Sequence, residues 1–382
     1  MPEGSPKRPP SPFGVAAGWW PVEFGEEVTD KPVAVRLGNR ELVLYRDLTG
    51  TVRAVNDRCP HRRLPLSMGR LTDKGDIQCG YHGWCFDGAT GQCTGIPNFR
   101  ADEKVSPSIR VSVFATAENL AHRLVPGRTS SNGSSQDAES PDSELSITNE
   151  DLPKEPVLAL FEVAATDGLI HVWTGGPEDP HTEAPTANVD SSAEVPTIRG
   201  VIEVRSPHES VAEALLLNPG RALGLSALLG GGYELFEPEV ELRDGVVVVR
   251  RERLTLDLPR RPTYEPFSDR TTRVLISTQP DTGMTRIVSE TSDGKAGYRL
   301  VVGVTPLGQI RAAVRWRCQI LGKNAAAIKM ACSVAGRLRR LANRTGDALE
   351  ELADSMEVSI DPAVLQLREL RLAHAAAEGA GV

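Results

Sequence analysis

The chain lacks any long apolar run, and this absence excludes a membrane-spanning helix. Nowhere in its 382 residues do the roughly eighteen consecutive apolar residues required for a span follow one another. The N-terminus has neither a hydrophobic signal core nor an Arg- and Ser-rich amphipathic segment. We therefore expect a soluble protein without a transmembrane segment.

An excess of basic charge is also missing. The 43 Lys and Arg residues are outnumbered by 51 Asp and Glu, which gives a net charge of −8 with both signs interspersed. No basic helix and no basic patch interleaved with aromatic residues is present. Nucleic acid is therefore not an expected partner.

Cysteine is scarce, with six residues in the whole chain. Four of them, Cys85, Cys93, Cys318 and Cys332, show no paired spacing that would indicate a disulfide framework or a second metal site. This usage favours a reducing compartment.

The other two cysteines each precede a histidine. Cys59-Pro60-His61 is followed, after seventeen intervening residues, by Cys79-Gly80-Tyr81-His82. A structural zinc site usually pairs Cys with Cys at one end and His with His at the other, whereas each end here carries one of each. Two thiolates and two imidazoles are the ligand set of a Rieske [2Fe–2S] cluster, so we expect Cys59 and Cys79 on one iron and His61 and His82 on the other.

The flanks of both pairs carry further motifs. Cys-Pro-His-Arg begins at Cys59, Leu-Ser-Met-Gly begins at Leu66, and Cys-x-Tyr-His-Gly-Trp-x-Phe precedes a Gly-x-Cys turn. This run, 56–97, resembles the Rieske domain of the Rieske non-haem iron oxygenase family. Respiratory Rieske proteins have an extra Cys in each ligand loop. Leu64 and Tyr81 stand in that neighbourhood here, so an oxygenase- or ferredoxin-type centre without a disulfide is implied.

The order of the predicted elements extends the resemblance and gives an α+β fold class. We expect a disordered lead-in over 1–17, an all-β Rieske domain over 18–178 with a flexible polar insertion at about 126–156, and a helix-grip (START-like) domain over 196–382. Strands are predicted at 197–205, 239–244, 246–256, 272–279, 284–291 and 298–317, and helices from Pro207 and at about 321–343, 345–356 and 361–377.

The family's second metal site is expected to be missing. In the family, the first helix of the second domain carries Asp-x-x-His-x-x-x-x-His, whose two His bind mononuclear Fe(II) together with a late carboxylate. Here Asn218 stands at the Asp position, and Arg221 and Ser226 stand at the His positions. Asp347 and Asp361 match the late carboxylate equally poorly. A guanidinium cannot bind a metal, so we expect a [2Fe–2S] cluster and no mononuclear iron in this chain.

The resemblance also implies a role. Family members assemble head to tail, and the cluster of one subunit serves the iron of its neighbour, so Asn218 is expected to act in an electron relay across the interface. We expect an electron-transfer subunit of a heteromeric Rieske oxygenase, a trimer or hexamer with a homologous subunit that has an intact iron site. A ferredoxin or reductase would supply the electrons, and the partner would oxidise a hydrophobic ring substrate.

The subfamily is indicated by Trp-Trp-Pro-Val-Glu-Phe near the N-terminus and Leu-Pro-Leu-Ser-Met-Gly-Arg-Leu after the first loop. These segments are most similar to the chlorophyllide a oxygenase branch, which implies a plastid stroma in an alga, after removal of a transit peptide, and a role in chlorophyll b synthesis. The alternative is a cytoplasmic bacterial monooxygenase subunit. Two other functions stay open: a self-sufficient oxygenase with atypical iron ligands, and a non-enzymatic redox sensor.

Overall fold

The computed structural model describes residues 13–100, 103–118, 168–175, 197–229, 232, 234–243, 245–254, 271–279, 283–290, 296–320, 338–355, 358 and 360–380. Most of the predicted lead-in, the predicted insertion at 126–156 and the ends of both predicted domains lie outside these residues, so the domain boundaries stay predictions. None of the described helices is long and apolar enough to cross a membrane.

The first half of the described chain is built from short antiparallel strands in three sheets, ordered β1-β11-β10, β2-β3-β4-β9 and β5-β6-β7-β8. The strands are β1 (Trp19–Phe24), β2 (Val33–Leu37), β3 (Arg40–Arg46), β4 (Val52–Asn56), β5 (Arg70–Leu71), β6 (Ile77–Gln78), β7 (Cys85–Phe86), β8 (Cys93–Gly95), β9 (Val113–Phe114), β10 (Thr116–Glu118) and β11 (Leu169–Trp173). Two 3₁₀ turns, Gly25–Glu27 and Leu66–Met68, interrupt them.

Strand β3 separates two hydrophobic cores. Successive side chains of a strand point to opposite faces, and here both faces are covered. Leu42 and Leu44 pack into a core with Trp20. Val43 and Tyr45 pack on the other face, in a core that includes Cys59 and Cys79. The two cysteines are thus held by the inner framework of this half.

The second half contains one seven-stranded antiparallel sheet, ordered β12-β18-β17-β16-β15-β14-β13. Its strands are β12 (Thr197–Val204), β13 (Glu239–Arg243), β14 (Val246–Leu254), β15 (Thr271–Thr278), β16 (Met284–Glu290), β17 (Ala296–Pro306) and β18 (Ala312–Ile320). The single strand predicted over 298–317 is wrong, because a turn divides it. Gly308 has a φ of 132°, and the Leu307 N–H donates to the Arg311 carbonyl at 2.8 Å.

Five helices accompany this sheet in the part of the chain that the structure describes. They are α1 (His208–Leu217), α2 (Pro219–Ala222), α3 (Ser226–Leu229), α4 (Leu338–Ala353) and α5 (Pro362–Ala380). The helix predicted from Pro207 is confirmed at α1. Separate helices were predicted at about 321–343 and 345–356, but α4 continues without a break through 344. The first part of the earlier predicted helix, 321–337, lies outside the described residues. The fold is α+β, as predicted.

Helix α1 is buried on nearly all sides. Every residue from 211 to 217 is buried, including the carboxylate of Glu213. Arg368 and Arg371 of α5 both bind that carboxylate at 2.7 Å. The helix ends at Leu217 because Pro219 follows Asn218, and a residue before proline disfavours the helical conformation. Helix α1 therefore lies between the sheet and the C-terminal helices.

Candidate metal centre

The first predicted ligand loop joins β4 to β5. The Cys59 N–H donates to the Leu64 carbonyl at 2.9 Å, and the Arg63 N–H donates back to the Cys59 carbonyl at 2.8 Å. Asp57 holds the far side of the loop, since its buried carboxylate accepts from the backbone N–H and the hydroxyl of Ser67 at 2.7 and 2.6 Å. The backbone of Cys59 is thereby held by hydrogen bonds within its own loop.

The second loop joins β6 to β7 and repeats this geometry. The Cys79 N–H donates to the Trp84 carbonyl at 2.8 Å, and the Gly83 N–H donates to the Cys79 carbonyl at 3.1 Å. Gly83 has a φ of 71°, and Arg63, at the matching place in the first loop, has a φ of 61°. A side chain in this left-handed region costs about 1–2 kcal/mol, so the glycine fits the loop at no cost while the arginine does not.

A glycine allows the two loops to approach closely. A Cβ added to Gly69, the last residue of Leu-Ser-Met-Gly, would lie 1.9 Å from the Gln78 carbonyl oxygen just before Cys79. No real Cβ contact is that short, so a larger residue would push the loops apart. This motif is therefore part of the site's geometry, although it contributes no ligand.

The four predicted ligands divide into a buried pair and an exposed pair. Cys59 and Cys79 are only 2% and 3% exposed, and burial, together with the hydrogen-bonded Cys79 thiol, raises the pKa of Cys59 to about 11. The rings of His61 and His82 are exposed, with centroids 4.6 Å apart. Partial desolvation and then the neighbouring His82 lower the pKa of His61, which favours the neutral form that binds iron.

This arrangement fits a two-iron cluster better than a single metal ion. Among the described residues, no three His, Cys, Asp or Glu side chains meet as ligands of one ion would. A Rieske cluster needs no such group, because one iron takes the cysteine pair and the other takes the histidine pair. The five described cysteines are free thiols.

Two aromatic side chains contact the imidazoles. The Trp84 ring stacks on His61 with centroids 4.5 Å apart and planes 3° from parallel, and the Tyr81 ring lies 3.7 Å from that of His82. Trp84 thus closes the second loop with its carbonyl and orients the histidine of the first with its ring. The motif Cys-x-Tyr-His-Gly-Trp contains both residues, but sequence reasoning assigned neither of them a role.

Replacing Trp84 by Leu is expected to loosen the cluster and raise its reduction potential. Loss of a group that orients a ligand typically costs 10- to 100-fold in metal affinity, so bleaching of the visible band should be about 10-fold faster. Without the Trp84 ring, water would reach the uncovered face of His61. Water would favour the reduced cluster, which carries one more negative charge than the oxidised cluster, and the reduction potential would rise. Trp84→Phe should retain the stacking and behave like the wild type. The control Trp19→Leu, which breaks the remote Trp19–Trp173 contact, should lower stability and leave the potential unchanged.

The predicted relay residue and the residues at the positions of the missing iron ligands lie at the end of α1. Asn218 is buried, and its side-chain oxygen accepts from the Arg221 N–H at 3.0 Å, which caps α2. The Arg221 guanidinium turns to α4, where it pairs with Glu351 at 2.9 Å. Ser226 begins the short helix α3. The electron relay through Asn218 stays a prediction, since it involves a neighbouring subunit.

The two proposed carboxylates have different surroundings. Asp347 is exposed on α4. Asp361 is buried, and both its oxygens bind the Arg251 guanidinium at 2.7 and 2.8 Å. Neither contacts Arg221. Sequence reasoning missed the carboxylate that does, Glu351, although it lies one helical turn after Asp347 and so shares its face.

A buried ionic cluster beside α1 was also missed. Arg251, with a fully buried side chain, binds Asp361 and Glu234 and donates to the Leu216 carbonyl at 3.0 Å. Arg253 donates to the Leu217 carbonyl at 2.7 Å. These guanidiniums satisfy carbonyls that the last turn of a helix leaves free. The alternation along β14 could have revealed this cluster. Val247 and Val249 point to the core, and Arg251 and Arg253 continue the same two-residue spacing and therefore point to the core as well.

Comparisons with known proteins agree with this geometry. The model of the Rieske [2Fe-2S] domain family matches residues 18–115. The chain is 43% identical over 94 residues to pheophorbide a oxygenase from Oryza sativa subsp. japonica, which covers 24% of this chain and 18% of that protein. It is 41% identical over 117 residues to 4beta-methylsterol monooxygenase from Methylococcus capsulatus, which covers 30% of this chain and 31% of that protein.

The matched stretch thus spans less than a third of each of these relatives. Solved structures extend the likeness to the second half. Dicamba monooxygenase bound to dicamba superposes with a TM-score of 0.64 at 19% identity, over 94% of this chain and 98% of that one. NdmB from Pseudomonas putida CBB5 gives 0.62 at 17% identity, over 94% and 92%. At these identities the likeness concerns the fold. The chain therefore contains a Rieske [2Fe–2S] domain and shares its fold with the Rieske non-haem iron oxygenases.

Proposed function

We propose that this chain is the electron-delivering subunit of a heteromeric Rieske oxygenase. Cys59, Cys79, His61 and His82 would hold the cluster. The observation that carries the proposal is the pairing of these intact ligand loops with an Arg221–Glu351 ion pair at the end of α1. The ligand motif of one half of an oxygenase site is intact, and a permanently charged guanidinium stands where the other half is expected.

The ligand loops are suited to electron delivery. A Rieske cluster accepts and returns one electron, at a potential raised by its two neutral imidazoles to roughly −150 to +300 mV. The buried cysteines keep water away from one side of the site, while the exposed rings of His61 and His82 give a partner protein a short approach. Electrons would enter and leave by this edge.

Oxygen activation would take place in a homologous partner. Arg221 is permanently charged and cannot act as a metal ligand, and it is held by Glu351. The Asn218 side chain is engaged in capping α2. A mononuclear Fe(II) at these positions would meet the guanidinium of Arg221 and the hydroxyl of Ser226 instead of two imidazoles, so we propose that this chain binds none.

The substrate class is supported by sequence relatives only. Pheophorbide a oxygenase from Oryza sativa subsp. japonica matches the Rieske segment and favours a chlorin ring as the compound that the complex oxidises, with chlorophyllide a as the proposed substrate in a plastid. The rival is a bacterial complex that acts on another hydrophobic ring, which the 4beta-methylsterol monooxygenase match favours.

The division of labour is tested by separating the subunits. The isolated chain should hold about two irons and two acid-labile sulfides, gain no iron on adding Fe(II), accept an electron from a reduced ferredoxin and form no product. Product should appear only on mixing with a homologue that carries Asp-x-x-His-x-x-x-x-His, and Arg221→Ala should leave this turnover largely intact. A third, non-cluster iron, or product from the pure chain alone, would contradict the proposal.

A further inference from the structure

The first ligand loop carries a concentration of positive charge. Arg58, Arg62 and Arg63 lie within six residues around His61, in a chain whose net charge is −8. All three side chains are exposed. Arg58 makes a long ion pair with Glu41 at 3.4 Å, whereas Arg62 and Arg63 pair with no acidic side chain in the part of the chain that the structure describes. We call Arg58, Arg62 and Arg63 the basic rim.

The backbone of Arg63 has a left-handed conformation that side chains disfavour. In the described residues, Arg63 is the only residue other than glycine with a positive φ, at 61°. The matching residue of the second loop is Gly83, with a φ of 71° and the same hydrogen bond to its cysteine. A glycine would satisfy the first loop equally well. The arginine thus adopts a backbone conformation that its residue type disfavours, and no ion pair of its side chain within the described residues explains it.

The site also exposes apolar side chains next to His82. Met68 is 69% exposed and Tyr81 is 62% exposed, and both line a cavity of about 640 Å³ beside His82. Exposed apolar groups next to arginines are typical of surfaces that bind another protein. A small anion would need only the charge, so this composition favours a protein.

We propose that the basic rim docks an acidic face of the protein that donates electrons to the cluster. This inference rests on the proposed electron-delivery function. A chain with a net charge of −8 repels an acidic donor at long range, so a local positive field beside the exposed imidazoles is needed to attract and orient it. Arg63, next to Arg62 and two residues after His61, is positioned to supply this field at the point of electron entry.

The decisive variant is Arg63→Gly, because it removes the charge and relieves the backbone. Stability should be unchanged or slightly higher, and the cluster content and EPR spectrum should match the wild type. The second-order rate constant for reduction by an acidic [2Fe–2S] ferredoxin should fall about 10-fold at low ionic strength, with a shallower dependence on salt. Reduction by photoreduced deazaflavin, which is small and uncharged, should not change.

Three controls separate docking from other effects. Arg63→Lys retains the charge and should reduce at the wild-type rate. Arg311→Ala removes an exposed arginine of the second half, which pairs with Glu203, and should also leave the rate unchanged. Oxidation of the reduced protein by cytochrome c, a basic protein, should be no slower in Arg63→Gly.

Several results would overturn the inference. An unchanged rate with ferredoxin would exclude a role for Arg63, and an equal loss with deazaflavin would place the effect in the cluster itself. A change in oligomer mass by light scattering would assign the rim to contacts between subunits. The proposed function fails separately, if the wild-type chain holds no [2Fe–2S] cluster or is not reduced by ferredoxin at all.

Discussion

Cys59→Ala and His82→Ala are each expected to abolish the cluster. Cys59 is one of the two buried thiols in the predicted ligand set, and His82 is one of its two adjacent exposed imidazoles, so each variant leaves one iron with a single protein ligand. The reduced wild-type protein should give the low-average-g EPR signal of a His-ligated Rieske centre. Both variants should lose this signal, the visible absorption and the acid-labile sulfide.

The matched control is Cys93→Ala. Cys93 is 3% exposed and belongs to the same core as Cys59 and Cys79, but it lies on β8 and its thiol is directed to the Gly95 carbonyl. The EPR signal should therefore survive its replacement. An all-Cys ferredoxin spectrum in the wild type would contradict the ligand assignment, as would a persistent Rieske signal in His82→Ala.

The ligand loops could be predicted from the sequence because their geometry is local. Each Cys and its His are two or three residues apart, the backbone hydrogen bonds that close each loop span five residues or fewer, and the Asp57–Ser67 bonds of the first loop span ten. Patterns of residues that lie this close together in the chain can be recognised from the sequence. The same holds for α1, whose start and whose end before Pro219 follow from the chain itself.

At the positions of the family's mononuclear iron ligands, the sequence predicted which residues are replaced but not the contacts that the replacements make. The contacts in this region join residues far apart in the chain, Arg221 with Glu351 and Arg251 with Asp361, and no periodic pattern encodes such pairs. The carboxylate on α4 was missed because helix register at a distant position depends on tertiary packing. The division of 298–317 was missed because alternation continues on both sides of the Gly308 turn, and a tight turn adds few polar residues.

Asp361→Asn is expected to cause the largest loss of stability. Asp361 is 7% exposed, and its carboxylate neutralises Arg251, whose side chain is fully buried. Removing one partner of a buried pair usually costs about 3–5 kcal/mol, because the other charge stays buried. Glu234 still binds Arg251 from the other side, at 2.9 Å, so we expect about 3 kcal/mol, measured by urea unfolding of the sheet by circular dichroism.

Asparagine is chosen because it retains the helix cap. The Asp361 Oδ1 accepts from the Ala363 and Val364 N–H groups at the start of α5, at 3.1 and 3.2 Å, and an Asn oxygen can do the same. Asp361→Ala should therefore cost about 1 kcal/mol more.

The exposed Arg221–Glu351 pair is expected to contribute far less to stability than the buried Arg251–Asp361 pair. Its side chains are 39% and 73% exposed, and Arg221→Ala should change stability by less than about 1 kcal/mol. The double variant Arg251→Met with Asp361→Leu should recover part of the loss of Asp361→Asn, since apolar side chains often replace a buried ion pair without cost, while Glu234 keeps its 3.4 Å contact with Arg253 and the cap of α5 is lost. If Asp361→Asn were as mild as Arg221→Ala, the buried cluster would not stabilise the contact of α5 with α1 and the sheet. That contact would then depend on apolar packing and on the Glu213 pairs with Arg368 and Arg371.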